Sequence, residues 1–138
     1  MNRDEGGDVT RAIIGAVIAV HEVLGPGLLE SSYDFCLAQE MHFRKIPFQR
    51  QVSLPIEYRG VKLDCVYRAD YVVAGSVVVE LKAVAAIDPV HEAQLMTYMR
   101  WGGWTIGLLI NFNVARLKDG IRRRALSLRP SALSAPLR

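Results

Sequence analysis

Cysteine is scarce in this chain, with Cys36 and Cys65 the only two among 138 residues. They are far apart, and neither a Cys-x-x-Cys spacing nor a histidine cluster accompanies them, which argues against structural zinc and against a disulfide framework. Both lie in apolar periodic segments and read as buried free thiols. Long apolar runs are also missing. The longest, Ala12 to Val20, is broken by Gly15 and falls well short of the roughly eighteen residues a membrane span requires. The polar start Met-Asn-Arg-Asp-Glu-Gly-Gly-Asp8 contains no secretory hydrophobic segment, so a cytoplasmic location with no membrane attachment is expected. There is no internal repeat and no glycine-rich phosphate loop; Gly102-Gly103 is too short to be one. A net positive charge is missing from most of the length. The net +3 divides into −3 over residues 1–115 and +6 afterwards, where Arg116, Lys118, Arg122, Arg123, Arg124, Arg129 and Arg138 stand against Asp119 alone. Arg122-Arg123-Arg124 can track phosphates or form a solvated edge.

What is present is an ordinary globular composition, 51% hydrophobic and 22% charged, of a length that suits one domain. We expect that domain over residues 1–126. Residues 127–138, aperiodic and holding two prolines, read as a flexible tail. A helical stripe of Ile13, Ile14, Val17, Ile18 and Leu24 predicts a first helix over 10–24, and Gly25-Pro26-Gly27 ends it. Leu29, Tyr33, Cys36, Leu37 and Glu40 predict a second over 28–41. Val52–Glu57 and Val61–Val73 read as strands joined at Tyr58-Arg59-Gly60, followed by a strand over 77–83. Asp88-Pro89 looks like the cap and first position of a helix reaching Arg100, with His91, Gln94, Leu95 and Tyr98 sharing a face. A strand over 104–112 and a short basic ending complete an α/β order.

The segment Asp70-Tyr-Val-Val-Ala-Gly-Ser-Val-Val-Val-Glu80-Leu-Lys82 carries charge inside two hydrophobic strands. With a turn on Ala74, Gly75 and Ser76, positions summing to 150 pair across the hairpin, so Asp70 faces Glu80 and Arg68 faces Lys82. Alternation then sets Asp70, Glu80 and Lys82 on one face. Carboxylates so opposed stand about 5 Å apart and repel by roughly 3 kcal/mol at an effective dielectric of about 20. A hard divalent ion reverses that sign, and magnesium characteristically takes one or two carboxylates while keeping waters. Beside such an ion an ammonium can orient an attacking water or stabilise a phosphoryl oxygen. The bland alternative is a salt bridge between Lys82 and one carboxylate. Arg68, two residues before Asp70, can hold a phosphate or pair with a nearby acid.

Five blocks occur in order: Gly27-Leu-Leu-Glu30-Ser-Ser-Tyr33 with Phe35-Cys-Leu-Ala38; Tyr67-Arg-Ala-Asp70; Val79-Glu-Leu-Lys-Ala83; His91-Glu-Ala-Gln-Leu-Met-Thr-Tyr98; and Gly107-Leu-Leu-Ile-Asn-Phe-Asn113. Together they resemble the GxxExxY protein family of the PD-(D/E)XK nuclease-like superfamily, over roughly residues 10–126. The resemblance implies a restriction-endonuclease-like core, a central mixed sheet flanked by helices. It implies Asp70, Glu80 and Lys82 as the signature residues, Glu30 as an acid on the first helix of the core, and Gln94 as a polar residue on the following helix. From position alone Glu30 is equally a helix-dipole partner. Tyr33 has the spacing of a core tyrosine with a wet hydroxyl. A lone histidine such as His91 can cap, pack or titrate. Tyr98 stands one turn beyond Gln94 as its packing support.

The expectation is a magnesium- or manganese-dependent nuclease acting on nucleic acid, DNA above RNA. Asp70 and Glu80 would hold the ion, with Lys82, Gln94 and Glu30 as the catalytic set and Arg68, Tyr33, His91 and Tyr98 in substrate or supporting positions. The alternative is a catalytically inactive nuclease-fold module that binds nucleic acid or a protein. So small a domain without a separate DNA-reading module acts nonspecifically, or needs a homodimer mate or a protein partner to grip its substrate.

Overall fold

The computed structural model of the chain describes residues 5–63 and 66–127. α1 (Glu5–Leu24) buries Ile13, Ala16, Val17 and Val20, and α2 (Glu30–Phe43) buries Tyr33, Leu37, Ala38 and Met41. These are the spacings of one helical face, and the two faces meet each other and the sheet.

Among the described residues seven strands follow the order β1 (Phe48–Ser53), β2 (Glu57–Tyr58), β3 (Val61–Lys62), β4 (Arg68–Val73), β5 (Val77–Lys82), β6 (Ile106–Asn111) and β7 (Ile121–Ala125). The main sheet has the order β1-β4-β5-β6-β7, and β2 with β3 forms a separate hairpin. β5 and β6 are parallel, joined through α3 (Pro89–Gly102), whereas the other pairs are antiparallel. The sheet is therefore mixed, as expected. α1 and α2 cover one face through Tyr71, Val73, Val77, Val79, Leu81, Leu108 and Ile110. α3 covers the other, where Leu95, Tyr98 and Met99 meet Val72, Val78 and Leu109. Cover on both faces is why β4 and β5 read as unbroken valine-rich runs.

The long strands expected at 52–57 and 61–73 are instead four shorter ones. Pro55 offers no amide to a ladder, so pairing ends at Ser53 and β1 begins earlier, at Phe48. Its Gln-Arg-Gln interior is polar because this is an edge strand. The basic ending is also a strand, β7, closing the opposite edge. Cys36 is half-buried rather than buried and lines a groove between α1 and α2. Cys65 and tail residues 128–138 lie outside the described residues. Among the described residues no helix is long and apolar enough to cross a membrane.

Candidate active site

The 150-sum register holds through Val73↔Val77, Val72↔Val78 and Tyr71↔Val79. Beyond that pair β4 and β5 part, and the amides released from the ladder need other acceptors. The two carboxylates supply them. The Asp70 amide donates to Glu80 Oε2 at 2.8 Å, and the Leu81 amide donates to Asp70 Oδ2 at 2.8 Å. Asp70 and Glu80 thus reach across the gap between the strands, a correction to the expected direct ladder pair of the two. Alternation breaks here: Ala69 and Val72, three positions apart, pack in the same core. On the other side of β4, Gln51 adopts φ 53° between the pairs Arg50↔Tyr71 and Val52↔Ala69, across from Asp70. The parting also removes the expected opposition of Arg68 and Lys82; Arg68 pairs with Ser53 and is exposed.

The segment Gly27-Leu-Leu-Glu30-Ser-Ser-Tyr33 has a distinct role for each named residue. Gly27 has φ 99°, a conformation that disfavours any Cβ, and its amide donates to Asn113 Oδ1 at 3.1 Å. Tyr33 is fully buried, stacked on Phe112 at 4.4 Å. Its hydroxyl donates to the Gly25 carbonyl at 2.6 Å and accepts from the Leu28 amide at 3.1 Å. Tyr33 therefore fixes the loop that delivers Glu30, at the first position of α2, towards Asp70 and Lys82.

Lys82 ends β5, half-buried and paired with Asn111 of β6. Asn111 is buried and locks the following loop, its amide side chain bonding both the Val84 N–H and the Val84 carbonyl at 3.0 Å. On α3, His91 serves its own helix, since its Nδ1 accepts the Asp88 amide at 3.0 Å and caps the first turn. Of the readings open to His91, capping is thus realised through Nδ1. Gln94 is half-buried one turn later. Tyr98 is buried, and burial, then Glu80 and Asp70, push its phenol up, which places it beside the carboxylates.

Asp34 is the residue that sequence reasoning missed. It sits four positions after Glu30 on α2, a spacing that puts both acids on one helix face. That offset was its only signal. Its side chain bridges to Arg50 at 3.0 Å, its carbonyl accepts the Tyr71 hydroxyl at 2.7 Å, and Arg50 lies over the Tyr71 ring. Its charge reaches Asp70 and Glu30.

Acidity records the crowding. Burial first, then the Asp70 charge, pushes Glu80 up to about 8, against the hydrogen bond from the Asp70 amide and the pull of Lys82. Asp70 is likewise raised by burial and by Asp34, with the Leu81 amide and Lys82 opposing. Glu30 is raised by partial desolvation, then by Asp70, with Lys82 opposing. A partly desolvated acidic cluster relieved by one lysine is a cation-seeking arrangement. Asp70 and Glu80 each commit one oxygen to a backbone amide, which orients the other. Among the described residues no three of His, Cys, Asp and Glu converge into a closed cage. Two carboxylates with waters and phosphate to complete the shell suit magnesium, which rarely uses an all-protein cage.

A mixed five-stranded sheet with helices on both faces, parted where an Asp and a Glu-x-Lys meet, defines a restriction-endonuclease-like α/β fold. The chain belongs to the PD-(D/E)XK nuclease superfamily, whose family model matches residues 7–124. Nucleases of this superfamily generally use divalent metal ions. No curated protein and no solved structure matches the chain.

Proposed function

We propose that this chain is a cytoplasmic, magnesium-dependent phosphodiesterase that hydrolyses DNA, within the GxxExxY group its blocks resemble. The observation that carries this reading is the reciprocal bonding of Asp70 and Glu80 across the parted strands, with Lys82 two residues beyond. Asp70 and Glu80 would hold the ion, and manganese would substitute. When bound, the ion would make water more acidic by lowering its pKa and would offset charge on a phosphoryl oxygen. Lys82 orients the attacking water and stabilises developing negative charge. The Gln94 amide, which can donate and accept at once, positions that water against a phosphate oxygen. Glu30 adds a carboxylate at the rim, and Tyr33 sets its position. Arg68, exposed at the end of β4, contributes a phosphate contact.

Lys82→Ala should cut plasmid or single-strand nicking at least tenfold, or about 1.4 kcal/mol of barrier, with manganese affinity kept within a few fold. Glu80→Gln should lose both. Equal trace activity in wild type and Lys82→Ala on single-stranded, duplex and branched DNA and on RNA would falsify the enzyme reading and leave a binding module in its place.

A further inference from the structure

The register of β7 decides what each of its three arginines can do. Leu109 pairs with Arg122, Leu108 with Arg123 and Gly107 with Arg124, while Glu80 pairs with Leu109 on the next strand. Residues directly paired across a sheet share a face. Glu80, Leu109 and Arg122 therefore form one row over three strands, and Leu109 packs in the core beneath α3. Arg124 lies on that face as well but is bound by Glu92 of α3. Arg123 is exposed on the opposite face, with Leu108.

Of the two β7 arginines on the α3 face, Arg122 is the one without a carboxylate among the described residues. It is half-buried, and its Nη1 donates only to main-chain carbonyls, those of Asp119 at 3.3 Å and Ile121 at 3.4 Å. Among the described residues it has no carboxylate partner. The contact with Asp119 draws the guanidinium towards the turn at Leu117–Gly120. That turn is pressed on the end of β6, since a Cβ added at Gly120 would stand 2.1 Å from the Asn111 carbonyl oxygen. Asn111 in turn pairs with Lys82. The free fork of Arg122 thus lies at the same end of the sheet as the carboxylates and Lys82.

Two strand spacings put the Arg122 backbone roughly 10 Å from that of Glu80. Because the backbone winds around the axis, successive phosphates of one strand stand farther apart than the axial rise of about 3.4 Å, and this span covers one or two of them. A planar guanidinium without an acidic partner suits bidentate phosphate binding. Resting on the nuclease reading above, we propose that Arg122 grips the nucleic-acid backbone one or two phosphates from the bond held at Asp70 and Glu80, and that Arg123 takes no part. It is a substrate-positioning residue, remote from the reacting atoms.

The test titrates fluorescein-labelled single-stranded and duplex DNA oligonucleotides against the full chain in calcium, over a range of salt, by anisotropy. Arg122→Gln should lower the slope of log K against log salt by about 0.7 on the single strand or about 0.9 on the duplex. Arg122→Lys should restore it, and Arg123→Gln should leave it unchanged. Melting temperatures of the variants in the same buffer check that each is folded. In cleavage, Arg122→Gln should raise KM for the oligonucleotide yet leave hydrolysis of bis(4-nitrophenyl) phosphate, which is too short to reach β7, at the wild-type rate. Wild-type binding with an unchanged slope in Arg122→Gln, or an equal drop in Arg123→Gln, overturns the assignment and leaves the nuclease reading standing. Wild type that binds neither oligonucleotide overturns both.

Discussion

Tyr33 commits its hydroxyl twice, to the Gly25 carbonyl and the Leu28 amide, while its ring stacks on Phe112. Tyr33→Phe keeps the stack and strands both backbone groups. We expect a loss of about 1–2 kcal/mol in urea unfolding, together with lower kcat because Glu30 is no longer delivered in place, at nearly unchanged metal affinity. A purely packing role for Tyr33 would leave kcat alone. At this scale much of the site is legible from residue type and offset. Asp70, Glu80 and Lys82 stand out because charge inside a valine run needs a reason. Asp34 does not, because a carboxylate on a half-exposed helix position looks like ordinary surface, and its ties to Arg50 and Tyr71 join segments far apart in sequence. The cap at His91 is legible too, because an Asp88-Pro89-x-His91 spacing puts the ring at the first turn of its helix.

Among the elements, the turn between β4 and β5 sets the geometry of everything beyond it. Ala74 has φ 53° and Gly75 φ 66°, and an L-residue held in the left-handed region carries roughly 1–2 kcal/mol of strain. The Ala74 amide donates to the Pro47 carbonyl at 2.8 Å, a bond that any residue but proline keeps. Ala74→Gly should therefore stabilise the protein by about 0.5 kcal/mol after the added freedom of the unfolded chain is counted, seen as a higher urea midpoint at constant m. The hairpin register is legible because a short turn on Ala74-Gly75-Ser76 fixes which positions pair. The parting of the strands past Tyr71 is not. It arises from side-chain acceptors competing with the ladder and from the left-handed Gln51 on the neighbouring strand, neither of which has a periodic signature. β7 is hidden for a different reason: an edge strand needs little apolar pattern, and arginines there also block edge-to-edge association.

For the whole molecule, the acid cluster couples stability to pH and to metal. Glu80 has its folded value raised from 4.5 to about 8, so between these limits the folded state binds the extra proton. Stability in chelator should fall as pH rises through this window and level off above about 8. Excess magnesium or manganese binds only the folded chain and offsets the loss, so the melting-temperature difference between metal and chelator should widen from pH 5 to 8. Below pH 8 the ion must displace that proton, and calorimetry at pH 7 in buffers of different ionisation enthalpy should show close to one proton released per ion. A metal-induced shift of the same size at every pH would remove Glu80 from the ligand set. Glu80→Gln should flatten both dependences.

The interlocked carboxylates serve two masters under selection. A lineage that abandoned hydrolysis would still need an acceptor for the Asp70 amide and another for the Leu81 amide, because an orphaned amide in the parted strands costs stability whether or not anything is cut. Asparagine at position 70 and glutamine at position 80 meet that need; alanine or valine does not. Decay of activity in such a lineage would run first through amides, leaving a sheet that closes as before around a centre that has lost its charge.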